Sequence, residues 1–327
     1  MEAPLSPRTK NVVLIWIGRL GDVLMTTPLF KAIRAAAPNA RIRLVTGEAG
    51  LPGARLAPAI DEVLVLKRAS SPLHNLKLAR ALRGVEADLL LDLNSAFSRA
   101  AAVLCRLARA RVRAGFERNR GNSLFDILAA PAGTQEHMLD RYARLGAAIG
   151  AAPEGTPEAI VPERARARAR EAAAGVPGEG PLILVHPGNF KKYDNRWPEE
   201  KFSALLARSE GRFALLAGPG ERDAVEEIAR NSGKPVPVLG SLTIEESAAL
   251  MEAAGLFIGN ATGSAHLAAA VGTKTLTFLS AYTKKVWMPQ DGGPDGPRHF
   301  QLVSESWNSC RDIPVDAAAA ALRRALA

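Results

Sequence analysis

Residues 11–17, NVVLIWI, run straight into Gly18-Arg19-Leu20-Gly21-Asp22-Val23. A short apolar run without alternation fits a strand buried on both faces. The glycines after it mark a tight turn, and residues 22–37 then show helical periodicity until Pro38 and Asn39 stop it. The same grammar continues. Strands are expected at 41–45, 62–66, 87–93 (ADLLLDL) and 111–115. Helices are expected at 73–82, 97–108 and 137–149. Residues 153–162 have the composition of a linker, and then the pattern restarts. Strands are expected at 181–186 (PLILVH), 213–217, 256–258 and 275–279. Helices are expected at 198–208, 221–230, 244–253, 264–270 and 314–326. Strands alternating with helices give a mostly parallel sheet covered on both faces. Two such series split near residue 155 predict two Rossmann-like halves. Ligands bind such sheets at the carboxyl ends of the strands, so the cleft between the halves is the expected site.

Length and composition agree. The chain has 327 residues, enough for two domains, with 47% hydrophobic and 23% charged residues, a folded rather than disordered profile. No stretch is long and apolar enough for a membrane-spanning helix. The N-terminal residues lack a signal core with a small-residue cleavage site, which predicts a cytosolic protein. Cys105 and Cys310 lie far apart, match no metal-ligand spacing and are expected to be reduced thiols. The net charge is +9. Nucleic acid, an anionic membrane surface or a phosphorylated substrate would each suit it. A composition rich in Ala, Arg, Gly and Pro, of the kind GC-rich genomes give, is a fourth and non-functional source. Residues 163–170 (ERARARAR) argue against nucleic acid. On a helix Arg164 and Arg168 point away from Arg166 and Arg170, and no aromatic residue interleaves to stack on bases.

Four segments carry candidate chemistry. In the first, Gly18, Arg19 and Gly21 form a turn that lets a ligand approach the backbone. Asp22 reads either as a helix N-cap or as a general base facing the cleft; taken alone, the N-cap is favoured. In the second, His186-Pro187-Gly188 precedes Lys191, Lys192, Asn195, Arg196 and Trp197-Pro198-Glu199, a loop whose cations suit a diphosphate. In the third, Gly218-Pro219-Gly220-Glu221-Arg222 is a strand-to-helix turn. In the fourth, Gly259-Asn260-Ala261-Thr262-Gly263-Ser264-Ala265-His266 joins a strand to a helix. There the N–H groups of Thr262, Gly263 and Ser264 would meet an anion, favoured further by the helix dipole. His266 reads as a ligand contact or as a packed core histidine, the latter favoured for a lone histidine.

In this order the segments resemble glycosyltransferase family 9, the ADP-heptose:lipopolysaccharide heptosyltransferases. The matching pieces are Gly21-Asp22-Val23 with Thr27-Pro28, His186-Pro187-Gly188 with Arg196-Trp197-Pro198-Glu199, Gly218 to Arg222, and Thr262-Gly263-Ser264-Ala265-His266-Leu267-Ala268. Arg113-Ala114-Gly115-Phe116 and His137 extend the match. Each motif is weak alone, but four in register are hard to obtain by chance.

The resemblance implies an α/β protein of GT-B type, two Rossmann-like domains facing an interdomain cleft. Residues 1–155 would bind the acceptor and 156–312 the nucleotide sugar, with a closing helix in 313–327 packing back toward the N-terminal domain. It implies an inverting transfer of heptose from ADP-heptose to the lipopolysaccharide inner core by a cytoplasmic protein in peripheral contact with the inner face of the inner membrane, with no cofactor and no metal. Asp22 would be the base. The donor diphosphate and nucleotide would meet Lys192, Arg196, Gly218, Thr262, Gly263, Ser264 and His266. Gly18, Arg19 and Gly21 would form the acceptor-side loop. No Asp-x-Asp metal motif lies near the expected donor site. The sequence departs from the family twice: Ala261 replaces the aspartate before Thr-Gly, and Asn195 replaces a lysine two residues before the tryptophan. Both changes fall at the donor, so three other readings share the fold: a transferase for another nucleotide sugar, a nucleotide-sugar epimerase, and a catalytically silent carbohydrate- or nucleotide-binding protein.

Overall fold

Val12, Val13, Leu14 and Ile15 are wholly out of solvent in β1 (Asn11–Trp16), a strand with neighbours on both sides, which is why its sequence shows no alternation. The computed structural model describes residues 4–67, 71–188, 195–288 and 298–327. It divides into two units, Met1–Ala159 and Ile160–Ala327. In the first, β2 (Arg41–Gly47), β3 (Glu62–Leu66), β4 (Glu86–Asp92), β5 (Arg109–Phe116) and β6 (Ile127–Ala129) join β1 in the order β3-β2-β1-β4-β5-β6. Every pairing is parallel.

Helices cover both faces. On one side α4 (Pro72–Gly84) and α5 (Arg99–Leu107) turn Leu78, Leu82, Ala101, Leu104 and Cys105 inward onto Val13, Ile15, Val45 and Leu90. On the other, α2 (Thr27–Ala36) packs with α6 (Met138–Ile149), which His137 N-caps by accepting the Leu139 N–H. The helix expected over 22–37 is two helices, α1 (Leu20–Met25) and α2. The break has a local cause. The Thr26 hydroxyl donates to the Asp22 carbonyl at 2.8 Å and the Thr27 hydroxyl to that of Leu24 at 2.7 Å, while Pro28 has no N–H to continue the ladder. A short α3 (Leu51–Leu56), unpredicted, follows β2.

The second unit repeats the plan. Its strands are β7 (Leu182–His186), β8 (Arg212–Leu216), β9 (Val238–Leu239), β10 (Leu256–Asn260), β11 (Thr275–Leu279) and β12 (His299–Val303), in the parallel order β12-β11-β10-β7-β8-β9. In each unit the first strand therefore lies between the second and the fourth. The helices are α7 (Glu163–Ala174), α8 (Glu199–Arg208), α9 (Arg222–Asn231), α10 (Ile244–Ala253), α11 (Gly263–Ala270), α12 (Ala281–Trp287) and α13 (Val315–Leu326). The arginine-rich α7 seats Ala165 and Ala169 toward α10, and its arginines pair outward: Arg164 with Glu245, Arg166 with Glu163 and Glu252, Arg168 with Glu171. The apolar face of α13, Ala318, Ala321, Leu322 and Ala325, enters the second unit's own core beside α8 and β11–β12, because that stripe completes the cluster around Phe202 and Phe278.

No helix among the described residues is long and apolar enough to cross a membrane. Both cysteines are buried free thiols, and burial pushes each thiol up to about 12. Thiolates are the reactive form. Both cysteines are therefore expected to stay unmodified by a maleimide in the native protein near neutral pH and to react once it is denatured. Prompt labelling of the native protein would contradict this burial.

Candidate active site

Doubly wound sheets open a crevice at the carboxyl ends of the two adjacent strands where the winding reverses. In the first unit these are β1 and β4. Gly18, Arg19, Gly21 and Asp22 lie on the single turn leaving β1. Asp22 is not the N-cap. Arg19 holds that position, and Asp22, two residues into α1, reaches back so that its Oδ2 accepts the Arg19 N–H at 2.7 Å. Its carbonyl accepts from Trp16 Nε1 at 3.1 Å as well as from Thr26. The half-buried carboxylate is thus held by a fixed backbone. A Cβ at Gly18 would stand 2.8 Å from the Asp22 Cβ, so only glycine permits this approach. Tyr142 packs edge-on against Trp16, and burial drives its phenol far above the ordinary range, which leaves it a neutral neighbour.

In the second unit the reversal lies between β7 and β10. Asn260, fully buried at the end of β10, accepts the Trp197 N–H at 2.7 Å and donates to the Pro187 and Gly188 carbonyls at 2.9 and 3.2 Å. Trp197 stacks on Phe278 with centroids 3.9 Å apart and donates its Nε1–H to the Ile313 carbonyl. His186 approaches Glu221 Oε2 through Nε2 at 3.2 Å, and the same oxygen accepts the Gly218 N–H. A Cβ on Gly188 would meet the His186 ring at 2.3 Å.

A cavity of about 330 Å³ opens at this edge. His186, Gly218, Gly220, Arg222 and Ser264 give it a polar side, and Leu216, Leu239, Leu242, Met251 and Leu267 an apolar one. Thr262 caps α11, so the Gly263 and Ser264 N–H groups lie in the first turn, ahead of the intrahelical bonds. Thr262 Oγ1 is buried and finds no hydrogen-bond partner among the described residues.

Two of the residues expected at the donor are largely buried. His266 is only 7% exposed, a packed histidine in the first turn of α11. Arg196 is buried and ion-paired with Glu199, so its charge is already met. Lys192 lies outside the described residues.

A family model for glycosyltransferase family 9 (heptosyltransferase) matches residues 75–309. The chain belongs to glycosyltransferase family 9. It is 27% identical over 288 residues to lipopolysaccharide heptosyltransferase 3 of Escherichia coli, covering 82% of this chain and 83% of that one. Its fold matches a family 9 glycosyltransferase from Veillonella parvula DSM 2008 with a TM-score of 0.82 at 19% identity, covering 99% of both chains. It also matches the Escherichia coli heptosyltransferase WaaC, solved with ADP-2-deoxy-2-fluoro heptose, with a TM-score of 0.71 at 20% identity over 96% of this chain and 99% of that one.

This family 9 glycosyltransferase carries a further cluster that the motifs do not announce. Asp92, at the end of β4, is fully buried and pairs with Arg118 at 3.0 Å, the arginine side chain being 3% exposed. Asn94 donates its Nδ2 to Asp92 Oδ1 at 2.7 Å and to the Ile15 carbonyl at 3.2 Å, and accepts the Ile17 N–H at 3.4 Å. Arg118 donates in turn to the Asn94 carbonyl at 3.0 Å. The network therefore braces the last residues of β1, directly before the Gly18–Asp22 turn. An aspartate one residue before the end of the apolar run 87–93 is the signal the sequence offers. Its partner, beyond β5, had no local signature.

Proposed function

We propose that the protein is an inverting, metal-independent heptosyltransferase that moves heptose from ADP-heptose to the lipopolysaccharide inner core at the cytoplasmic face of the inner membrane. The observation that carries the reading is the first turn of α11, where Ser264 lines a cavity with one apolar wall and the buried Thr262 Oγ1, two residues earlier, is orphaned among the described residues. Fixed N–H dipoles and a helix N-terminus suit a diphosphate. An apolar wall suits a nucleobase, and the cavity lies within the usual range of about 300–1,000 Å³ for small-molecule sites. The names of the relatives point to the same donor and acceptor.

In this reading the second unit holds the donor. The Thr262, Gly263 and Ser264 amides take up charge as the nucleotide diphosphate departs, with Lys192 supplying the cation, since Arg196 is paired with Glu199. Asp22 takes the proton of the acceptor hydroxyl as that oxygen attacks the anomeric carbon. A single displacement inverts the configuration. Preorganised dipoles do the electrostatic work here, so the reaction is expected to run at an unchanged rate in EDTA.

The test is ADP release from ADP-heptose with and without a heptose-deficient core acceptor. Release only with acceptor, undiminished by EDTA, is expected. Equal release in both arms, or binding without turnover, would overturn the reading.

A further inference from the structure

Helices α4 and α5 sit side by side on one face of the first sheet, and their inward residues are already satisfied by the shared core. What they turn outward is unusual. Leu73 is 76% exposed, Val103 55% and Leu76 46%, with Phe97 exposed at the approach to α5. Four of the nine large hydrophobic side chains exposed among the described residues thus belong to this one surface. Isolated exposed apolar residues need no explanation, but a cluster on adjoining helices marks an interaction surface.

The cations around them share one sign. Lys77, Arg80 and Arg83 on α4, and Arg99 and Arg106 on α5, are exposed, and no carboxylate pairs with any of them among the described residues. Neither residues 67–85 nor residues 93–116 contain an aspartate or a glutamate. The opposite face differs: there Lys31 pairs with Glu158, Arg34 with Asp61, and Arg141 and Arg144 with Glu136. In a parallel sheet each crossover helix starts at the carboxyl edge of the strands. Leu73 and Leu76, in the first turns of α4, and Phe97, before α5, therefore lie toward the edge that carries Asp22. The basic residues continue down both helices.

We propose that the outer surface of α4 and α5 is where the protein docks on an anionic phospholipid bilayer. Leu73, Leu76 and Phe97 enter the headgroup boundary, and Lys77, Arg80, Arg83, Arg99 and Arg106 meet lipid phosphates. Large exposed aliphatic side chains have no use against a nucleic-acid backbone, whereas a basic rim around apolar side chains fits a lipid surface on both counts. Docking near the sheet's carboxyl edge would deliver a membrane-anchored acceptor to Asp22; that consequence alone rests on the transferase reading.

Flotation of the full chain with vesicles tests it. Mixed phosphatidylglycerol–phosphatidylcholine vesicles at about 50 mM NaCl should carry the protein up, with recovery falling at least about tenfold at about 500 mM NaCl, where charges are screened beyond a few ångströms. Recovery on phosphatidylcholine alone should be similarly low. The triple variants Leu73→Ser/Leu76→Ser/Phe97→Ser and Lys77→Glu/Arg80→Glu/Arg83→Glu should each lose at least about tenfold on the anionic vesicles. All these side chains are exposed, and an unreactive Cys105 certifies that each variant is folded. Nucleotide release with detergent-dispersed acceptor should stay within about twofold of the parent, since no reacting group is touched. Failure of the parent to float at low salt, or variants that float like the parent, would overturn the proposal. Neither result bears on turnover, so a fully active protein that ignores vesicles refutes the surface alone, and a docked protein without turnover refutes the transferase reading alone.

Discussion

Replacing Asp22 with asparagine should lower kcat for heptose transfer by about 10²- to 10⁴-fold while leaving ADP affinity unchanged. The substitution is chosen to keep the turn. An asparagine oxygen can still accept the Arg19 N–H that Asp22 Oδ2 accepts now, and the backbone contacts of residue 22 to Trp16 and Thr26 do not depend on the side chain. What is lost is the capacity to take a proton. ADP affinity is measured separately because the nucleotide is assigned to the second unit. A variant with near-normal turnover would remove Asp22 from the chemistry, and a variant that also loses ADP would show that the turn does more than the reading allows.

The second large effect concerns stability. Asp92→Ala should destabilise the first unit by about 3–5 kcal/mol, because it strands the guanidinium of Arg118 in a site with 3% exposure. Cys105 belongs to the core of the same unit and Cys310 to that of the other, so the two thiols report on the units separately. When labelling proceeds through reversible opening, the rate at Cys105 should rise by about 10²- to 4 × 10³-fold, each tenfold step being about 1.4 kcal/mol, while Cys310 is unaffected. Replacing both partners with apolar residues of similar volume, Asp92→Leu with Arg118→Met, should recover most of the loss, since a buried pair adds little over a well-packed apolar pair. A single variant as slow to label as the parent would show that the pair is not structural. Recovery of stability in the double variant without recovery of turnover would assign the network to holding the turn that carries Asp22.

The doubling of the fold was legible because central parallel strands are continuous apolar runs. β1, β4 and β7 could hardly be anything else, and the restart after the linker fell close to the observed division at Ala159. The short edge strands β6 and β9 were not legible, since two or three residues show no periodicity, nor was β12, which is only partly buried. The apolar spacing of 22–37 continues across Thr26 and so reads as one helix, whereas hydroxyl bonds to the preceding turn interrupt the ladder there. The turns that build the site announce themselves through glycine. The cavity wall does not: Leu216, Leu239, Leu242 and Met251 look like ordinary core residues until the fold gathers them. The Asp92–Arg118 pair was hidden for a related reason, since each partner lies on a different strand's exit.

One amide, that of Asn260, ties the end of β10 to the His186-Pro187-Gly188 turn and to the backbone at Trp197. Three stretches distant along the chain therefore answer to a single side chain. Exchanging any one of these stretches with a homologue's would meet strong epistasis, and grafting all three together is the economical way to re-engineer this unit.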